Sequence, residues 1–116
     1  MVERWRRFLA VAQRHEPADL LWSDARLVNV ASGEIERVNV AVCGGVVAGV
    51  GDYTEAEQII DLAGEYLAPS LIDGHVHVES SLIWVDQFAR AVVPHGTGAV
   101  VTDPHEIANV AGLDGI

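Results

Sequence analysis

Lysine is absent from this chain. Its seven basic residues are all arginines, set against 17 acidic ones, for a formal net charge of −10 over 116 residues. Arg4, Arg6, Arg7 and Arg14 crowd the N-terminus, so the remainder is more acidic still. Binding a nucleic-acid backbone takes a positive surface, which excludes nucleic acid as the expected partner. The arginine cluster reads instead as the solvated face of a helix. Cysteine is nearly missing too. Cys43 alone excludes an internal disulfide and any cysteine-rich zinc site, and it suits a reducing compartment. No apolar run approaches the roughly 20 residues that cross a bilayer. Phe8–Ala12 is too short for the core of a signal peptide, and Glu3 interrupts the basic start. The expectation is a cytoplasmic protein with no membrane contact. Phosphate-cradling glycine patterns are lacking as well, since Gly44-Gly45 and Gly49-x-Gly51 read as hairpin glycines.

Half of the residues are apolar, which makes this a folding chain rather than a disordered one. Residues 2–15 predict an amphipathic helix with Trp5, Phe8, Leu9 and Ala12 on one face, stopped at Glu16-Pro17. Short strands follow at Ala25–Val30, Ile35–Val42, Val46–Val50 and Glu57–Leu62. Cys43-Gly44-Gly45 marks a tight hairpin between the second and third. These strands predict a small antiparallel β layer that serves as scaffold. Beyond Gly64 the pattern changes. Tyr66–Asp73 is a nearly continuous apolar run, as in a strand buried on both faces. Leu82–Val93 predicts a helix ended by Pro94-His95-Gly96, and Ala99–Thr102 a second buried strand. Ile107–Val110 begins another helix. Strand, helix, strand in this order predicts a βαβ unit with parallel strands. The fold class is therefore α/β with a β-rich part: a helix over 1–18, a β layer over 19–66, and the start of a parallel sheet over 67–116.

Chemistry concentrates at the strand ends. His75-x-His77 closes the first apolar strand, and residues two apart on a strand point to one side. Two imidazoles so placed reach a single divalent ion. With clean alternation, Asp73, His75, His77 and Glu79 share that side. Asp73 is then placed to orient an imidazole, and Glu79 to meet metal or substrate. Asp103, His105 and Glu106 follow the second strand, on the same sheet edge where α/β barrels carry their active sites. Two metal motifs fail. His105-Glu106-Ile107-Ala108-Asn109 ends in Asn where a zincin needs His, and His77-Val78-Glu79 lacks any later Pro-Cys-x-x-Cys. Ser80-Ser81 lacks an activating base pattern, so a serine nucleophile is not expected.

The run Leu67-Ala68-Pro69-Ser70-Leu71-Ile72-Asp73-Gly74-His75-Val76-His77 resembles the first barrel strand of the amidohydrolase superfamily. Leu27-Val28-Asn29-Val30 through Ile60-Asp61-Leu62-Ala63-Gly64 resembles the N-terminal β domain of those enzymes. More narrowly, His75 to Ser81 and Asp103-Pro104-His105-Glu106-Ile107-Ala108-Asn109-Val110 resemble the adenine deaminase family. The resemblance implies a partial β-sandwich domain followed by the first βαβ of an incomplete (β/α)8 barrel. It implies hydrolysis of adenine to hypoxanthine and ammonia, aided by a divalent metal (manganese, iron or zinc) that lowers the pKa of bound water to about 7. His75 and His77 map onto metal ligands. Spacing alone does not divide the Asp103–Glu106 cluster between metal and purine. The assignment adopted gives His105 to the metal and Glu79, Asp103 and Glu106 to catalysis. Ser70 stands where the superfamily pattern usually has glycine, and a positive φ there would cost about 1 kcal/mol. A whole barrel of this kind takes ~250 residues, so the chain reads as an N-terminal part, inactive alone and prone to self-association through uncovered apolar surface. The alternatives are a hydrolase of another cyclic amidine or amide, and a non-catalytic binding or assembly module.

Overall fold

The computed structural model describes residues 2–116. They form two compact units, residues 2–69 and 70–116.

In the first unit, α1 (Val2–Ala12) packs on a five-stranded sheet. The helix is shorter than its periodicity predicts. Arg14 takes a left-handed φ of 62°, and the His15 N–H donates to the Ala10 carbonyl at 2.8 Å, closing the helix before Pro17. Its buried face also differs from the predicted one. Val11 is fully buried and Phe8 packs beside it, whereas Trp5 and Leu9 stay exposed. The organising strand is β1 (Ala18–Asn29). On one side it pairs antiparallel with β2 (Glu34–Cys43), which pairs in turn with β3 (Val46–Gly51). Gly44 and Gly45 have φ of 59° and 78°, as the predicted two-residue hairpin requires. On its other side β1 pairs in parallel with β4 (Ala56–Asp61) and then with β5 (Tyr66–Leu67). The layer is thus mixed, not antiparallel throughout. A bulge between Trp22 and Ala25 separates the two pairings. There Asp24 adopts φ 52°, a conformation Asp tolerates, and Arg37 donates to its two carboxylate oxygens through Nε and Nη2. Leu21, Ala18, Ala41, Cys43 and Val11 form the core.

The second unit is a βαβ arrangement, as predicted. β6 (Leu71–Val76) lies parallel to β7 (Thr97–Thr102). Between them run a 3-10 turn at Glu79–Ser81, the helix α2 (Val85–Val92) and a second 3-10 turn closed by Gly96 in the left-handed region. Helix α3 (His105–Ala111) follows β7 directly. Two expectations need correction. The apolar run from Tyr66 is broken by Ala68-Pro69-Ser70 into β5 and β6, which belong to different sheets. Nor is β6 buried on both faces: in a two-stranded sheet Leu71 and Ile72 remain 64% and 69% exposed. Ser70 does not adopt a positive φ, so the predicted strain does not arise. Its side chain instead occupies the space in which a Cβ on Gly98 would sit.

Candidate metal centre

The end of β6 delivers the paired imidazoles. His75 lies within the strand and His77 one residue past it. Their Nε2 atoms are 3.0 Å apart, with the ring planes at 82°. A zinc–nitrogen bond of roughly 2.0–2.1 Å places two neighbouring ligand nitrogens roughly 2.9–3.4 Å apart, for right-angled to tetrahedral coordination. The observed separation falls in that range. The other face of the His77 ring supports the same reading. Its Nδ1 lies 2.9 Å from the Asp103 carbonyl oxygen, and because a carbonyl only accepts, Nδ1 carries the proton. That leaves the Nε2 lone pair bare and aimed at His75. Anchoring of a ligating histidine through its second nitrogen is the usual arrangement at protein metal sites. The two residues therefore fit a divalent cation.

His105, in the first turn of α3, sets its ring 4.9 Å from that of His77, at 81°. Its Nδ1 is 3.4 Å from Asp103 Oδ2. The loop after β7 thus brings His105 and Asp103 to the imidazole pair, as their order along the chain predicts. Among the described residues, however, no three His, Cys, Asp or Glu side chains stand as a ready metal cage. What is formed is a two-imidazole claw with His105 beside it.

The carboxylates part company. Asp73 accepts the backbone N–H of His75 at 3.0 Å, so it shapes the strand end and not the orientation of a ring. The strand stops at Val76, and the chain turns into the 3-10 segment before Glu79. The predicted single row of Asp73, His75, His77 and Glu79 is therefore interrupted at its last member. Both carboxylate oxygens of Glu79 are buried without a hydrogen-bond partner, in the wall of a cavity of about 480 Å³ shared with Val78, Val100, Thr102 and Ile107. Glu106 is held instead: the Ser80 hydroxyl donates to it, at 3.1 Å from one oxygen and 3.3 Å from the other. Residue-type reasoning missed two participants. Ser80 is dismissed as a nucleophile and has no other signal in the sequence. The Asp103 carbonyl is invisible there, because every residue has one.

No family model matches the chain. In sequence it is 56% identical over 108 residues to an adenine deaminase of Kosmotoga olearia and likewise to one of Dehalococcoides mccartyi, and 47% identical over 115 residues to one of Listeria monocytogenes. These alignments cover 93–99% of the chain but only 19–20% of each relative, so the chain spans about a fifth of their length. In structure it resembles an N-acyl-D-glutamate deacylase from Bordetella bronchiseptica, solved with zinc and a phosphonate inhibitor, with a TM-score of 0.62. It also resembles an L-hydantoinase from Arthrobacter aurescens, with a TM-score of 0.60. Both are 24% identical to it and match 75% of the chain, against 19% and 21% of their own lengths. The chain shares with these two proteins the fold of a β layer followed by a βαβ unit. Over the stretch it shares with the relatives matched in sequence, the chain is similar to proteins named adenine deaminase, and it spans about a fifth of their length.

Proposed function

We propose that this chain supplies the first metal-binding strand of an adenine deaminase, the hydrolase that converts adenine and water to hypoxanthine and ammonia. The observation that carries the reading is the convergence of His75 and His77 Nε2 at 3.0 Å in a chain 56% identical to proteins of that name. His75 and His77 hold the ion through their Nε2 atoms, and His105 stands close enough to join them once the site closes around it. When bound, a divalent ion supplies water that ionises near neutral pH and polarises the carbon under attack. The chain's own carboxylates manage protons around that step. Glu79 is the freest of them: with neither oxygen engaged, it is available to carry a proton to the departing amino nitrogen. Asp103 backs His105, and Glu106 borders the same loop. Two imidazoles alone leave a coordination sphere half empty, so the isolated chain binds metal weakly and does not turn over substrate. Its exposed Leu82, Trp84, Val110 and Leu113 favour self-association. The reaction belongs in the cytoplasm, where the lone thiol of Cys43 stays reduced.

The likeness to a hydantoinase supports a second reading, hydrolysis of a cyclic amide. A chimera separates the two. The chain replaces the matching 108 residues of the Kosmotoga olearia protein, and the product is assayed on adenine and on dihydropyrimidines. Adenine turnover is expected. It should fall in His75→Ala and His77→Ala by more than the roughly 10–100-fold typical of losing an outer-sphere partner. A metal-loaded chimera that opens dihydropyrimidines and ignores adenine, or that keeps full activity after His75→Ala, would overturn the proposal.

A further inference from the structure

We infer that Ser80 and Glu106 form a clasp that positions His77, and that the main duty of Glu106 is to accept the Ser80 hydroxyl. The loop after β6 and the loop after β7 are joined by two hydrogen bonds. One runs from His77 Nδ1 to the Asp103 carbonyl at 2.9 Å, the other from Ser80 Oγ to the Glu106 carboxylate at 3.1 Å. Ser80 lies three residues after His77, and Glu106 three residues after Asp103, so the two bonds bracket the same pair of short segments. The first bond fixes the His77 tautomer. It survives only while the Asp103 carbonyl stays in place, and that carbonyl sits on a loop tied down at its far end by α3. Helix α3 has only seven residues and no side-chain cap at its N-terminus, so its start is weakly held by its own structure. The Ser80–Glu106 bond supplies the missing anchor.

The inference builds on the proposed metal centre, but its test does not depend on that reading. The experiment uses the 116-residue chain with 15N-labelled histidine, first free of metal and then titrated with zinc. In the unaltered chain the 15N shifts of His77 should show the proton on Nδ1 alone. Ser80→Ala should give a mixture of tautomers and weaken zinc binding about tenfold, the low end of what losing an outer-shell partner costs and short of the loss expected for a ligand. Ser80→Thr, which keeps the hydroxyl, should restore both. Glu106→Gln keeps an oxygen that can accept and should match the unaltered chain, while Glu106→Ala should match Ser80→Ala. An unchanged His77 tautomer in Ser80→Ala would overturn the clasp. So would Glu106→Gln being as damaging as Glu106→Ala, which would make the negative charge the essential feature. Should zinc fail to bind at all, the metal centre falls and the tautomer readings still decide the clasp.

Discussion

The two units solve opposite problems with similar proportions of apolar residues, about half in each. Of the nine buried apolar side chains among the described residues, eight belong to residues 2–69 and one, Val78, to residues 70–116. In the first unit, Val11, Leu21 and Ala41 are sealed between a helix and a sheet, and the charged groups lie outside as pairs such as Arg7–Asp19 and Arg37–Asp24. In the second, Leu71, Ile72, Leu82 and Val101 face outward, and the organised contacts are polar ones between strand-end loops: His77 to Asp103, Ser80 to Glu106, His105 to Asp103. The contrast separates the residues that hold a fold from those that hold a site. It also shows that a polar network at a sheet edge can form around very little core.

The sharpest way to break this contrast is a pair of truncations. Leu21→Ala removes a side chain only 2% exposed and should cost about 2–5 kcal/mol in urea unfolding. Ile72→Ala, at 69% exposure, should cost under about 0.5 kcal/mol. Equal costs would mean that the second unit has a packed interior after all. A middle-sized effect is expected at Gly98, where an added Cβ runs into the Ser70 side chain. Gly98→Ala should destabilise by about 1–2 kcal/mol, and Ser70→Gly in the same chain should recover most of it. Failure of the double substitution to recover would show that the fit at this strand end lies elsewhere. The smallest effect concerns acid. A hydrogen bond from Arg7, reinforced by the Gly44 N–H, holds the Asp19 carboxyl below its ordinary value of 3.8. Its contribution is present above that value and is lost as pH falls further and the carboxylate is protonated in the folded chain. Asp19→Asn should therefore lower stability at neutral pH by under about 1 kcal/mol and flatten the acid limb below about pH 4, as read by fluorescence.

Much of the site was legible because its signals are local. The His75-x-His77 spacing needs only a strand, and β6 provides one; the Gly44-Gly45 hairpin needs only positive φ, and both residues have it. The order strand, helix, strand predicted the parallel pairing of β6 with β7. What escaped is non-local. Nothing in Glu57–Leu62 tells which neighbour it will take, and its parallel pairing with β1 turned the expected antiparallel layer into a mixed one. The apolar run from Tyr66 masked a change of sheet at Pro69, because hydrophobicity measures burial demand and not partner identity. Glu79 left the predicted row because the strand ended three residues earlier than simple alternation assumes. Helix α1 buried Val11 and left Trp5 out, since the face that meets β2 and β3, not ring size, decides which positions are covered.

The oxygen that orients His77 belongs to the main chain, and this makes the arrangement unusually tolerant of drift. Position 103 can change its side chain without withdrawing the acceptor, provided the path of the loop is kept. Pro104 helps to keep it: its ring restricts its own φ, here −82°, and biases the preceding residue toward an extended form. A mutation hunt confined to polar side chains would pass over this control point, and the substitution most apt to disturb the imidazole is a flexible residue in place of Pro104.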